Sequence, residues 1–302
     1  MHINFQTGKT FIGDKMNIRT DLAVERQQMT EDSEIEGVSV YSEENEDCRA
    51  TVIEITTKEG EEALGKPRGK YITLEMEAFP DSSTLSDGRI EMLKRFLGEL
   101  IPEEGTVLVA GLGNSDITPD AIGPMCAENI LATRHIPKET ENALKLPVLR
   151  PVAVISPSVT GKTGIETGEI ISGVSEKISP ECIIVIDALA ARSVGRLGTT
   201  VQLTDTGIEP GSGVGNRRRA INKDTLGVPV IAIGIPTVVD AATLCYDLTG
   251  QEIKTEEFRN MMVTPKDTDI ICSGGARLIA AAINLTLQKN LSAEEILSLT
   301  VQ

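Results

Sequence analysis

Residues 106–114 have the sequence TVLVAGLGN, in which a short apolar strand, Thr106–Ala110, runs directly into a glycine loop. Apolar runs of similar length follow at Val152–Ile155, Cys182–Ile186 and Val230–Ile235, and segments of helical spacing lie between them. Continuous apolar strands that alternate with helices are typical of a parallel sheet covered on both faces. We therefore predict an α/β fold with a mostly parallel sheet and helices on both faces, plus small β-containing additions at the N-terminus.

The rest of the chain is predicted from local pattern. Residues 1–50 are polar and increasingly acidic, which predicts a solvated or mobile face. Two short strands, Val52–Ile55 and Tyr71–Leu74, flank the glycine-containing turn Lys58–Lys70. Helical spacing and capping residues predict the following helices: Ser86–Leu100, Asp240–Leu248, Ser273–Gln288, Ser292–Leu299 and one from about Asp120 to Thr133.

Composition limits the function classes. The 302 residues carry a formal net charge of −16, which repels nucleic-acid phosphate, so we expect no direct nucleic-acid partner. The five cysteines form no C-x-x-C pair, which indicates a reducing compartment and no structural zinc. We expect no cofactor and no metal site. The sequence also shows no signal peptide and no evident membrane span of about 18 residues. We expect a cytoplasmic protein without a membrane partner.

Three motifs resemble known sites but lack a necessary part. Thr160–Thr163 has the end of a phosphate-binding loop, but Ser156 stands where its first glycine belongs. Gly111 and Gly113 begin a dinucleotide fingerprint whose third glycine is Asp116 here. The tripeptide Asp205–Gly207 matches aspartic proteases, whose sites need two such loops in an all-β frame. None of the three is predicted to act as its motif suggests.

Two aspartates, Asp120 and Asp187, follow separate apolar strands and are expected at one rim of the sheet, where ligands of open α/β sheets bind. With only two histidines and no tryptophan in the chain, carboxylates are the expected acid and base. Adjacent carboxylates can share a proton, so that one activates water while the other polarises a carbonyl. The alternatives are structural: Asp120 as a helix cap and Asp187 as an acceptor for the turn Ala188–Arg192. Asp240, near another strand end, is a third candidate.

Several longer motifs resemble the spore germination protease family. They extend over about residues 18–290 and comprise IRTDLAVE at 18–25, GLGN at 111–114, TPDAIGP at 118–124, IDALAAR at 186–192, DTGI at 205–208, GSGVGN at 211–216 and GIPTVVDA at 234–241.

The resemblance implies an endopeptidase made as a zymogen, which degrades small acid-soluble spore proteins during germination. It also implies a homotetramer in the forespore or spore core, with an α/β fold shared with hydrogenase-maturation peptidases and an acid-type mechanism. The family's catalytic pair corresponds here to Asp120 and Asp187, although which is base and which is acid stays open. Supporting residues are expected in the loops that contain Gly113, Asn114, Asp205, Gly213 and Asp240, and main-chain N–H groups of the 111–114 and 211–215 loops are candidate oxyanion donors.

The resemblance also places self-cleavage between Asp21 and Leu22, so that residues 1–21 form a pro-segment and residues 22–302 a single peptidase domain. The junction has an acidic residue followed by an apolar one and is expected in a polar, exposable segment. It is similar to the Glu-then-apolar sites that the family cuts in its substrates. Acidification of the developing spore would change the protonation of Asp120 and Asp187, and self-cleavage would begin at that point in development.

The sequence leaves two alternatives open. One is a nickel-dependent peptidase of the hydrogenase-maturation type, which would need a histidine such as His135 near the site. The other is a non-catalytic binding module of the same fold, whose rim aspartates hold a cationic ligand or peptide.

Overall fold

The computed structural model describes residues 19–30, 35–77, 79, 87–137, 139, 147–211, 219–251 and 261–300. A single nine-stranded sheet runs through these residues. Its strands are β1 Val38–Glu44, β2 Cys48–Ile55, β3 Gly69–Met76, β4 Val107–Gly111, β5 Val152–Ile155, β6 Cys182–Ala191, β7 Thr200–Thr204, β8 Val230–Asp240 and β9 Met262–Val263.

Ten α-helices are described along the same residues. They are α1 Ala23–Gln28, α2 Lys58–Leu64, α3 Gly88–Leu100, α4 Ile122–Glu128, α5 Thr160–Thr163, α6 Thr167–Ile178, α7 Lys223–Leu226, α8 Ala241–Thr249, α9 Thr268–Leu287 and α10 Ala293–Thr300. Two short 3₁₀ turns, Thr118–Asp120 and Val194–Arg196, precede α4 and β7.

The strand order is β1-β2-β3-β7-β8-β6-β4-β5, with β9 pairing with β8 outside that path. Strands β5, β4, β6 and β8 pair in parallel, and β1, β2, β3, β7 and β9 join by antiparallel pairing. The predicted α/β class is confirmed, with a mixed sheet whose parallel half holds the apolar strands found in the sequence. The N-terminal strands are an extension of this same sheet.

Alternate residues of the parallel strands face opposite layers, as the two-residue period of a strand requires. In β4, Val107 and Val109 pack in a core with residues of α3, α4 and α9, whereas Leu108 and Ala110 pack in a second core with Ile171 of α6. The prediction of helices on both faces is therefore confirmed. Every residue of β4 is buried, which explains why its sequence is continuously apolar.

The prediction that residues 1–50 form a solvated face is confirmed for the described acidic residues Glu36, Glu44, Glu46 and Asp47, which are exposed, but it is wrong for the start of α1. Leu22 and Ala23 are fully buried and Val24 nearly so, in a third apolar cluster with residues such as Ile53 and Leu189. The apolar run is short, but docking against the sheet gives it tertiary contacts that local pattern does not reveal. Residues 1–18 lie outside the described residues, and the division of the chain at residue 21 stays a prediction.

Other boundaries also differ from prediction. The turn predicted at Lys58–Lys70 contains helix α2, whose N-cap Thr57 accepts the N–H of Gly60. Strands β6 and β8 run about five residues beyond their apolar runs because they continue to pair with each other. Helix α9 begins at Thr268, five residues before the predicted start. It is long and apolar enough to cross a membrane, but 72% of its most apolar window is buried inside the protein, as in a core helix.

Candidate active site

Asp187 lies within β6, opposite Gly234 of β8. Its side chain is on the wall of a cleft, although the residue is only 7% exposed. Its Oδ1 accepts the N–H of Ala188 at 3.0 Å, one contact of the kind that the structural alternative anticipated. Because the strand continues to Ala191, Asp187 projects from the sheet itself and not from a loop after it. This gives the carboxylate a rigid support.

Asp120 ends the 3₁₀ turn Thr118–Asp120. Its Oδ2 accepts the N–H of Asn114 at 2.9 Å, and its main-chain oxygen lies 3.1 Å from the same N–H. Helix α4 begins only at Ile122, and its N-cap Ala121 makes no side-chain capping bond. The predicted start of this helix at Asp120 is therefore too early, and the side chain of Asp120 accepts a hydrogen bond from the glycine loop.

The glycine loop joins the two aspartate-bearing elements. The N–H of Leu112 donates to the carbonyl of Ile186, directly before Asp187, at 2.7 Å. Gly113 has a φ of 112°, and a Cβ built there would lie 2.1 Å from the carbonyl oxygen of Asp120. Only glycine allows this approach. The Asn114 N–H already serves Asp120, so the expectation that it acts as an oxyanion donor is not supported by this arrangement.

Asp120 and Asp187 line one cleft of about 940 Å³. The described residues that line it include no serine, cysteine or histidine, so the titratable side chains there are carboxylates, basic groups and the phenol of Tyr71. Two threonines, Thr204 at the end of β7 and Thr206 just after it, add polar character to the wall. The structure thus brings the two predicted aspartates to one open space, and their catalytic role stays a prediction.

The chain's own N-terminal segment lies in this cleft, where Arg19, Thr20 and Asp21 line the wall. The N–H of Asp21 donates to the carbonyl of Ala190 at 2.9 Å, and the N–H of Ala190 donates to Asp21 Oδ2 at 2.9 Å. Leu22, on the other side of the predicted junction, is fully buried. The expectation of an exposable junction is wrong for this state of the chain, because the segment binds along the extended end of β6.

Residues 17–255 match the family model described as Germination protease, Peptidase_A25. The chain belongs to the germination protease family. It is 41% identical over 315 residues to the Germination protease of Caldanaerobacter subterraneus subsp. tengcongensis. The matched region covers 93% of this chain and 97% of the relative. The Germination protease of Clostridium perfringens strain ATCC 13124 is also 41% identical, over 320 residues, with 93% and 98% coverage. That of Priestia megaterium is 36% identical over 359 residues, with 92% and 95% coverage.

The predicted family is thus confirmed, and with it the class of endopeptidase that acts in spore germination. Among solved structures, the hydrogenase maturation protease HycI from Thermococcus kodakarensis is similar at a TM-score of 0.36 and 16% identity, over 62% of this chain and 98% of that chain. Similarity at this level does not define the fold of the germination protease.

Two other predicted site residues, Asp240 and Asp205, make structural contacts in this germination protease. Asp240 is 3% exposed, caps α8 through the N–H of Thr243 at 2.9 Å and pairs with Arg19 at 3.3 Å. Asp205 is exposed, and its Oδ1 accepts the N–H of Lys70 at 2.8 Å. Neither is among the described residues that line the cleft, although Thr206–Gly211, directly after Asp205, are. Gly213 lies outside the described residues.

Glu25 is a buried carboxylate that the sequence analysis did not single out. It is 3% exposed and accepts the N–H groups of Arg192 at 2.7 Å and Ser193 at 3.0 Å. It also pairs with Arg196 at 3.3 Å and accepts the hydroxyl of Thr20. These contacts attach α1 of the protease to the loop after β6. The one available signal was a glutamate directly after the apolar run Leu22–Val24.

The cysteines and the one described histidine, His135, are not among the described residues that line the cleft of the protease. Burial raises the pKa of the thiols of Cys48, Cys182 and Cys272 to about 11, and it raises the pKa of Cys126 further. His135, which the nickel-dependent alternative would use, is exposed and is not among the described residues that line the cleft. Within the described part of the chain, no three His, Cys, Asp or Glu residues are grouped so as to hold a metal ion.

Proposed function

We propose that this member of the family is a self-activating endopeptidase that first cuts its own Asp21–Leu22 bond and then degrades small acid-soluble spore proteins during germination. One observation carries the proposal: the peptide at Asp21 lies in the same cleft as Asp120 and Asp187. Hydrogen bonds from main chain and side chains hold it there in an extended pairing, as a substrate would be held.

The proposed chemistry uses water and two carboxyl groups. Of the two aspartates, Asp120 and Asp187, the ionised one takes a proton from water, and the oxygen of that water bonds to the carbonyl carbon of Asp21. The protonated aspartate then gives its proton to the nitrogen of Leu22 as the bond between that nitrogen and the carbonyl carbon breaks. The products are a carboxyl group at Asp21 and an amine at Leu22. Either aspartate can take either role, and the pair titrates as one system.

The contacts around the junction support a preference for an acidic residue followed by an apolar one. The carboxylate of Asp21 accepts the N–H of Ala190, a fixed main-chain donor at the end of β6. Leu22 is enclosed in the apolar cluster that contains Leu189 and Val239. A Glu-then-apolar site in a spore protein would present the same two features. One site would therefore serve both self-cleavage and substrate cleavage.

Binding of the N-terminal segment in the cleft would also keep the uncut chain inactive, as in a zymogen. Arg19–Asp21 line the space that a substrate must enter, so the intact chain excludes substrates by binding its own segment. Loss of residues 1–21 would open the cleft. The proposal places the enzyme as a homotetramer in the forespore and spore core, where acidification during development would set the protonation state that permits self-cleavage.

The proposal is tested with the purified full-length chain. Incubation at mildly acidic pH should remove residues 1–21, as seen by intact-mass spectrometry, and only the shortened chain should then degrade purified small acid-soluble spore proteins. Asp120→Asn and Asp187→Asn should each abolish the shortening. Undiminished processing by both variants would remove these carboxylates from the mechanism, and degradation by an unshortened chain would contradict the zymogen.

A further inference from the structure

Two side chains converge on the carbonyl oxygen of Asp21. Lys66 Nζ donates to it at 2.8 Å, and Gln202 Nε2 donates to it at 3.2 Å. The two residues are 136 positions apart in the chain, Lys66 just after α2 and Gln202 in β7. This oxygen belongs to the peptide bond that the proposed function cleaves, so its two donors lie where negative charge would develop.

We infer that Lys66 and Gln202 are catalytic residues that stabilise the oxyanion formed at Asp21 during cleavage. The inference rests on the proposed function. When the oxygen of water bonds to the carbonyl carbon, the electron pair of the C=O bond moves onto the oxygen that Lys66 and Gln202 already contact. The pair returns when the bond to Leu22 nitrogen breaks. Donors placed in advance at such an oxygen stabilise the transition state without reorganising.

The two donors contribute differently. Lys66 supplies an ammonium group, and a charged donor forms a stronger hydrogen bond to developing negative charge than a neutral one. Gln202 is 6% exposed, and its two amide ends contact both sides of the junction. Its Nε2 donates to Asp21 oxygen, while its Oε1 accepts the N–H of Ala23 at 2.7 Å. The amide group is therefore held in one orientation by the substrate segment itself.

The sheet also places Gln202 in line with one of the proposed catalytic carboxylates. Asp187 pairs with Gly234, and Gly234 pairs with Gln202 in the next strand. Residues opposite each other on neighbouring strands share a face, and strands lie about 4.8 Å apart. Asp187 and Gln202 thus stand on one face, about 10 Å apart. Gly234, between them, adds no side chain, and the side chain of Leu189 fills the space that a Cβ at Gly234 would occupy.

The test uses full-length chains and measures the rate of shortening by intact-mass spectrometry. Lys66→Met removes the ammonium group, and Gln202→Glu keeps an acceptor for Ala23 while removing the donor. Each variant should process on the order of 100-fold more slowly than the wild type, the loss typical of one oxyanion donor. Lys58→Met and Gln28→Glu, which make the same changes at exposed positions, should process at the wild-type rate.

A pH series separates this role from a structural one. A glutamate at position 202 regains a donor when protonated, so the deficit of Gln202→Glu should shrink as the pH falls toward about 4.3. The deficit of Lys66→Met should not shrink, and Lys66→Arg should recover part of the rate. The midpoint of thermal unfolding of each variant shows whether it processes slowly because it is partly unfolded. For such a variant, the pH trend and the rate of Lys66→Arg decide whether the residue acts as an oxyanion donor.

The outcomes distinguish this inference from the function on which it rests. If processing needs Asp187 but Lys66→Met and Gln202→Glu process as fast as the wild type, the inference about the oxyanion is overturned and the proposed function is not. A wild-type chain that is not shortened would overturn both. The assignment is supported if both variants process slowly, the stated pH trend is seen, and the control variants Lys58→Met and Gln28→Glu process at the wild-type rate.

Discussion

The hydroxyl of Thr237 donates to the carbonyl of Pro119 at 2.6 Å, directly before Asp120. Thr237 is 1% exposed and belongs to β8, three residues after Gly234, the partner of Asp187. A second bond, from Cys272 Sγ to the carbonyl of Thr118 at 3.2 Å, fixes the same turn. The turn that carries Asp120 is thus attached to the strand that neighbours Asp187.

Thr237→Val should loosen this attachment. The carbonyl of Pro119 loses its donor, so we expect the free energy of unfolding to fall by about 1–3 kcal/mol. Because a small displacement of a catalytic group is costly, self-processing should slow at least tenfold, which corresponds to about 1.4 kcal/mol. Denaturant unfolding and intact-mass spectrometry measure the two effects. Thr237→Ser keeps the hydroxyl and should restore both; equal loss in the two variants would contradict this role for the hydroxyl.

The two aspartates should be needed for chemistry and not for folding. Asp120→Asn and Asp187→Asn retain the size of the side chain and its acceptor oxygen but cannot take and return a proton. Each should reduce self-processing by at least 100-fold, within the range of general acid–base catalysis. Asp224→Asn, at an exposed position of α7, should process normally. A processing rate within a few-fold of wild type in either cleft variant would show that this carboxylate is not the acid or base.

Glu25 should stabilise the N-terminal segment. Glu25→Ala leaves two main-chain N–H groups without their buried acceptor and removes one of the two carboxylates that pair with Arg196, and breaking a buried ion pair typically costs about 3–5 kcal/mol. Denaturant unfolding should show a loss of that order. Glu62→Ala, which removes an exposed ion pair with Lys58, should change the free energy of unfolding by less than about 0.5 kcal/mol. Similar losses in the two variants would contradict a buried anchoring role for Glu25.

Thiol reagents should leave the activity intact. A raised thiol pKa means less thiolate at pH 8, so Cys48, Cys126, Cys182 and Cys272 should react slowly, in addition to being buried. Cys245, which is partly exposed, should be the first residue labelled by N-ethylmaleimide. Peptide mapping locates the label, and intact mass follows processing. Inhibition that accompanies labelling of a single cysteine would point instead to thiol chemistry.

The parallel half of the fold was predictable because its strands are buried on both faces and therefore continuously apolar. Val107–Gly111 and Val152–Ile155 match their predicted runs to within one residue. Strand β7 was missed because Thr200–Thr204 carries buried threonines and Gln202, so it has no apolar run to detect. Two of the polar residues that hid it in the sequence, Gln202 and Thr204, line the cleft.

The aspartates of the candidate site were found because each follows an apolar run, but their surroundings were not. The contacts of Asp21 with Lys66 and Gln202 join residues 45 and 181 positions apart, and such pairings depend on the assembled sheet. The burial of Leu22 has the same origin. Local pattern described the segment by its many acidic neighbours and so predicted exposure.

The most direct test of cleavage by the chain's own cleft is the kinetic order of processing. Because Asp21 is bound in the cleft that holds Asp120 and Asp187, the first-order rate constant should not change over a 100-fold range of protein concentration. An Asp187→Asn chain mixed with wild-type enzyme should keep residues 1–21, since its buried junction is closed to other molecules. A rate that rises in proportion to concentration, together with shortening of the Asp187→Asn chain in the mixture, would contradict cleavage within the chain.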